Sequence, residues 1–230
     1  VIGNINKAEA QAPALCVYKG GRKRAMKKVT AIRAGRGKRV NVFLDGRFAF
    51  SLEAELALKE NLQVGQELSE ANIEALARTD LFHRCLNAAI HYLSYRLRSE
   101  AELRGRLGRH GFDGDNVEAV IARLREQGLV NDLAFAEFWK DNRQSFRPRS
   151  RWLTALELRQ KGVSTDIIDQ VVADVDDEDS AYRAALSRAR SLPRSDYQSF
   201  RRRLGEYLRR RGFSYRVISH TVERLWPESY

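Results

Sequence analysis

Arginine dominates the side chains that could do chemistry in this chain, and it comes in clusters. Between positions 196 and 226 stand eight arginines (Arg201, Arg202, Arg203, Arg209, Arg210, Arg211, Arg216 and Arg224) against three acids, Asp196, Glu206 and Glu223. The triplets Arg201–Arg203 and Arg209–Arg211 are two turns apart on one predicted helix, and three consecutive residues spread over most of a helix circumference, so part of each triplet faces solvent. Basic residues recur at comparable places upstream: Arg104, Arg106 and Arg109 before Gly111, and Arg159 with Lys161 before Gly162. A second cluster is Arg147-Pro148-Arg149-Ser150-Arg151-Trp152. Pro148 presets a turn there, and Arg147, Arg149 and Arg151 crowd a helix entrance, where the helix dipole disfavours cations unless an anion is present. A guanidinium fork matches phosphate and carboxylate, so these positions are candidate contacts for nucleic-acid phosphates or an acidic protein groove. For any single arginine the alternative is a solvated face with favourable charge near a helix C-terminus. Trp152 reads as core rather than as a stacking surface.

Catalytic patterns are missing. There is no GxxxxGK[ST], GxGxxG, GxSxG or HExxH. His83, Cys85 and His91 are close in sequence but spaced to different helix faces, so no metal site is read from them. His110 stands in a predicted last helical turn, where Lys161 and Arg211 stand in sister segments, so it reads as a helix-end residue. The acidic run Asp174-Val-Asp-Asp-Glu-Asp179 reads first as capping for the next helix and second as a hinge or a decoy for basic patches. The chain is therefore expected to bind rather than to catalyse, and to need no cofactor.

Composition agrees. The 230 residues carry a net charge of +11 with 31% charged and 43% hydrophobic residues, which suits a polyanion-facing protein that can still bury a core. Cys16 and Cys85 are the only cysteines, too few for a disulfide framework. No apolar run approaches the roughly 20 residues of a bilayer span, and a cytoplasmic location is expected, with no membrane contact. Residues 1–26 show no periodicity and are expected to be a disordered tail or the result of an early start codon.

The elements that must position the arginines are mainly helical. Val29–Ile32, Val40–Leu44 and Arg47–Ser51 alternate like strands, and Asp45-Gly46 between the last two signals a tight hairpin. Residues 27–80 thus read as a β-meander followed by short helices, at about 53–61 and from Ser69 through Ala77. From 82 onward three segments repeat, 82–129, 130–176 and 177–227. Gly111, Gly162 and Gly212 anchor them, roughly 50 residues apart. Four residues before each glycine is a leucine (Leu107, Leu158, Leu208), one after is an apolar residue (Phe112, Val163, Phe213), and two after is a cap residue (Asp113, Ser164, Ser214). Apolar positions then align as Val117, Ile168 and Ile218; Ile121, Val172 and Val222; Leu124, Val175 and Leu225. Each segment reads as helix, helix, glycine corner, helix, with first helices near 84–97, 132–144 and 179–191. Leu86, Ala89, Ile90, Leu93 and Leu97 give the first of these one apolar face. Three such three-helix repeats are expected to form an elongated array behind the meander.

The Asp-Gly hairpin of Val29–Leu52, the Leu-x₃-Gly-Phe corner, Gln127-Gly-Leu-Val-Asn-Asp132 with Phe135-Ala-Glu-Phe138, Arg147-Pro-Arg-Ser150 and Leu-Arg-Gln-Lys-Gly-Val163 resemble the bacterial regulatory protein family RecX over residues 27–226. Arg147 departs from the family's pattern, which has glycine before the proline. The resemblance implies three tandem three-helix repeats in a curved array, and a modulator, commonly an inhibitor, that lies along the groove of the RecA–single-stranded-DNA filament and lowers its ATPase, strand-exchange and coprotease activities; a monomer is expected. It carries over no catalytic residue. The rival from the residues themselves is a direct DNA binder with tandem helix-turn-helix modules. Against it, the helices after the corners, 114–126, 165–175 and 215–226, hold few base-reading side chains, and the basic residues precede them.

Overall fold

The computed structural model describes residues 26–193 and 196–226. The expectations for the first 25 residues, Cys16 included, lie outside the described residues. Four strands and ten helices are present among these: β1 (Lys27–Ala34), β2 (Arg39–Leu44), β3 (Arg47–Glu53), α1 (Ala54–Lys59), β4 (Glu67–Leu68), α2 (Glu70–Leu93), α3 (Glu100–Arg109), α4 (Gly114–Glu126), α5 (Asp132–Phe146), α6 (Arg151–Gln160), α7 (Thr165–Val172), α8 (Asp177–Arg190), α9 (Tyr197–Arg209) and α10 (Tyr215–Leu225). They fall into two compact units, one ending at Tyr92 and taking in Arg106–Ala122, the other made of Leu93–Gly105 and the chain from Arg123 onward.

The sheet is antiparallel in the order β3-β2-β1-β4. Asp45 and Gly46 both adopt positive φ (50° and 80°), as the two-residue hairpin requires. Alternate residues Val42, Leu44, Phe50 and Leu52 point inward with Val29 and form one core with Leu56, Leu62, Leu68 and Leu76. The two-residue β4 escapes the sequence reading because it is too short to alternate. The two helices expected over 69–97 are one continuous helix, α2, ending at Leu93, and a boundary between 80 and 82 falls inside it. The break is apparent only because Asp80 interrupts the apolar period. Its carboxylate is buried and accepts from the Glu53 amide at 2.9 Å and the Arg39 guanidinium at 3.0 Å. The inward residues of α2 are therefore Leu76, Asp80, Cys85 and Ala89, whereas Ile90 is exposed, as is Leu97 beyond the helix.

All three glycine corners form. Gly111, Gly162 and Gly212 have φ of 89°, 77° and 86°, the left-handed conformation that closes a helix. Each glycine amide donates to the carbonyl three residues back, and the apolar residue after it donates to the leucine carbonyl: Phe112 to Leu107 at 3.3 Å, Val163 to Leu158 at 3.2 Å and Phe213 to Leu208 at 3.4 Å. The leucine spacing is thus a backbone requirement as well as a packing one. Gly128 (φ 68°) ends α4 in the same way, with Leu129 donating to Leu124. The cap residues behave unequally. Asp113 accepts from Asn116 and Ser214 from Val217, while Ser164 has the extended backbone of a cap and no side-chain cap bond. Of the aligned apolar positions, all but half-buried Ile218 are buried. The second repeat closes over Phe135, Leu158, Val163, Ile168 and Val172, and the third over Phe200, Leu204, Leu208, Phe213, Val222 and Leu225. The acidic run does cap: Asp176 accepts from the amides of Glu178 and Asp179 at the start of α8.

Candidate functional site

Arginine sorts into two populations once the joints between repeats are built. In the first joint Ser99, wholly buried, caps α3 by accepting from the Glu102 amide and donates its hydroxyl to the Lys161 carbonyl at 2.6 Å, at the corner before Gly162. The next amide, that of Glu100, donates to Asp132 at the start of α5 (2.8 Å). The second joint repeats the arrangement. Ser150, also wholly buried, caps α6, and its amide donates to the Arg211 carbonyl at 3.1 Å. The Arg151 amide then donates to Asp177 at the start of α8 (2.6 Å). In both joints the corner glycine is also a point of close approach. A Cβ on Gly162 would overlap that of Ala101, and one on Gly212 would lie 2.6 Å from the Ser150 hydroxyl and 2.7 Å from the Leu153 Cβ.

Several candidate cations are consumed by these joints. Lys161 pairs with Glu102 at 2.6 Å and lies over the Trp139 ring at 5.0 Å. Arg104 pairs with Glu100 at 3.6 Å on α3. Arg149 pairs with Glu157, which also accepts from Arg143 at 2.8 Å and from the Trp139 indole at 2.9 Å. Arg151 donates to the carbonyls of Ala173 and Val175, the end of α7 and the loop after it. Arg211 donates to the Pro148 carbonyl at 3.2 Å and lies 4.5 Å from the Tyr207 ring centroid. Of the three cations at the entrance of α6, Arg149 is met by Glu157 of α6 itself and Arg151 by the carbonyls of Ala173 and Val175, while Arg147 stays exposed. Arg147 itself has φ −148° and ψ 72°, so the glycine usual in the family is not needed for this backbone.

A second set stays on the surface. Arg147, Arg159, Arg201, Arg202, Arg203, Arg209 and Arg210 are exposed, as are Arg106 and Arg109 on α3. Arg106 lies 4.9 Å from the Tyr92 ring centroid. The fold unites the two sequence clusters: the Arg147–Trp152 segment abuts the Arg209–Gly212 corner through the Ser150 amide and the Arg211 guanidinium. Burial, followed by repulsion from Arg143, Arg211 and Arg147, presses the Arg149 pKa down. Trp152 is not core. It is 64% exposed, because Thr154 and Leu158 carry the buried face of α6 and position 152 lies on the other side; its ring edge rests against Gly212. Sequence reasoning also passed over Ser99 and Ser150, whose shared signal is a position twelve residues before the corner glycine. In the third repeat that position is buried Phe200, because α9 begins a turn earlier, at the cap Asp196.

Electrostatics at the joints is uneven. A hydrogen bond from Arg125 holds Glu100 below the ordinary carboxyl value against the effect of burial. Burial opposes the ionisation of Glu102, but hydrogen bonds from Arg96 and Lys161 prevail and its pKa is lowered. Burial raises that of Asp132. Cys85 is wholly buried and burial pushes its thiol up to about 11, so it is unreactive at neutral pH. No helix among the described residues is long and apolar enough to cross a membrane.

Comparison with known proteins assigns this architecture. Residues 27–69 match the model of the regulatory protein RecX N-terminal domain, and 85–124, 131–172 and 176–222 match the first, second and third RecX three-helix domains. The chain is 30% identical over 212 residues to regulatory protein RecX of Clostridium perfringens (strain SM101 / Type A), covering 89% of this chain and 99% of that one. It is 31% identical over 192 residues to that of Clostridium botulinum (strain Eklund 17B / Type B), 81% of this chain and 89% of its relative. A crystal structure of regulatory protein RecX superposes with a TM-score of 0.63 at 26% identity, over 86% of this chain and 99% of the other. With its sheet and three glycine-cornered repeats each matched in order, the chain belongs to the RecX family of regulatory proteins.

Proposed function

We propose that this protein binds the filament that RecA recombinase forms on single-stranded DNA and inhibits its ATPase, strand-exchange and coprotease activities, acting in the cytoplasm as a monomer without a cofactor. The observation that carries the proposal is the outward population of arginines, Arg201–Arg203, Arg209 and Arg210 on the third repeat with Arg147 beside its corner. Their side chains remain exposed after the joints have taken Arg149, Arg151, Lys161 and Arg211. Guanidinium groups so placed suit acidic protein surface and DNA phosphate together. Weak contacts shared among three modules add by effective concentration, so no single module need bind tightly. Bridging adjacent recombinase protomers would hinder filament growth or the ATP-linked change between them, which places the protein in the control of recombination, DNA repair and the SOS response.

Direct sequence reading of duplex DNA fits less well. The helix after the second corner, α7, carries Asp166 and Asp169 and no basic residue, whereas base readout needs donors at the groove. The test is RecA ATPase on single-stranded DNA with the variant Arg209→Glu/Arg210→Glu. Inhibition should weaken strongly while the variant's thermal midpoint stays near that of the wild type. Undiminished inhibition would remove the third repeat's arginines from the mechanism.

A further inference from the structure

The groove between α9 and α10, about 330 Å³ in volume, is absorbed by neither the joints nor the repeat cores. Its rim carries Arg201, Arg202 and Arg209, with Glu206 as the only acid among the residues lining it. Gly205, Ile218 and Val222 lie beneath, and Tyr215 stands at one side with 73% of its surface exposed. Arg201 donates to the Tyr215 hydroxyl at 2.8 Å, which fixes a guanidinium at the edge of the ring. Gly205 makes the opening. It sits inside a helix, where glycine costs about 1 kcal/mol relative to alanine, and a Cβ there would meet only the Ile218 methyl at an ordinary 3.5 Å. Packing therefore does not require glycine at this position, and any longer side chain would enter the groove.

We propose that this groove is a site for one nucleotide of single-stranded nucleic acid, with the base against Tyr215 over the apolar floor and the flanking phosphates on Arg201, Arg202 and Arg209. The volume lies at the small end of sites for small ligands, about 300–1,000 Å³, and is less than two turns of a docking helix of about 10 Å diameter would occupy. An apolar floor beside an open aromatic ring is wasted on a duplex, whose bases are stacked and paired. An unpaired base has a free face for the ring, and its own phosphates complement the rim. The proposal rests on the reading that the RecA filament on single-stranded DNA is the partner, and adds a contact that needs no recombinase.

The experiment is fluorescence anisotropy with a labelled oligothymidylate and no recombinase present. Gly205→Leu should fill the groove and, as a better helix former, raise the thermal midpoint while weakening binding. Tyr215→Ala should weaken binding about five- to 150-fold, the range that loss of one stacked base implies. Tyr215→Phe should retain most of the affinity, since the ring remains. A duplex of the same sequence should bind more weakly and respond little to either groove variant. Wild-type protein that does not bind the oligonucleotide, unchanged binding by Gly205→Leu, equal losses on duplex, or displacement by a glutamate-rich peptide as effective as by unlabelled oligonucleotide would each overturn the site. Inhibition of RecA by the wild type is measured in parallel. Its absence alongside groove-dependent oligonucleotide binding would refute the proposed function and leave this site standing.

Discussion

Replacing each corner glycine by alanine should separate the two demands that the fold makes on these residues. All three adopt positive φ, so each alanine meets the left-handed penalty, about 1–2 kcal/mol. A Cβ on Gly111 would meet nothing within 4 Å, so Gly111→Ala should cost only that. On Gly162 it would overlap the Ala101 Cβ, adding an overpacking cost of about 1–3 kcal/mol. Gly162→Ala is thus expected to destabilise by roughly 2–5 kcal/mol, and Gly212→Ala by a similar amount through Ser150 and Leu153. Urea denaturation followed by circular dichroism reads these as midpoint shifts at constant slope. A double-mutant cycle isolates the steric part. Ala101→Gly alone should cost roughly 0.5–1 kcal/mol as a helix glycine, but in the Gly162→Ala background it should recover stability. Equal costs at Gly111 and Gly162, or an Ala101→Gly cost that simply adds to that of Gly162→Ala, would refute the close-approach account of the joint.

Other perturbations probe single groups. The Thr154 hydroxyl is buried with no hydrogen-bond partner, so Thr154→Val should raise stability by about 1 kcal/mol, seen as a thermal midpoint some 2–4 °C higher. Glu102 has a lowered folded pKa, so its contribution is full above the ordinary carboxyl value of 4.5 and is lost as pH falls through the folded value. The stability gap between wild type and Glu102→Gln should accordingly close on acidification and reopen at neutral pH, as followed by thermal unfolding across a pH series. Arg210→Ala and Arg211→Ala should split by role: the first lowers partner binding at unchanged stability, while the second lowers stability because Arg211 holds the Pro148 carbonyl.

The corners were legible because each is a local event. Leucine, glycine and an apolar residue at fixed spacing complete a hydrogen-bond pattern within six residues, and Asp45-Gly46 fixes its hairpin in the same way. What escaped reading depends on partners distant in sequence. Asp80 looks like a break in α2 until Arg39 and the Glu53 amide are brought to it. Ser99 and Ser150 look like ordinary caps until the corners of the following repeats meet them. The arginine clusters showed the sign of the surface but not its membership, because Glu157, the Ala173 and Val175 carbonyls and the Pro148 carbonyl that engage Arg149, Arg151 and Arg211 belong to other elements. Trp152 was misplaced for a related reason: its helix buries Thr154 and Leu158, and an aromatic two positions away from Thr154 faces outward.

Co-sedimentation with RecA filaments on single-stranded DNA, carried out over a range of salt concentrations, tests the central claim most directly. Exposed guanidinium contacts to phosphate and carboxylate predict that the protein pellets with the filament at low salt and is released as salt rises, with a shallower salt dependence for Arg209→Glu/Arg210→Glu. Failure to pellet with the filament even at low salt would contradict the account.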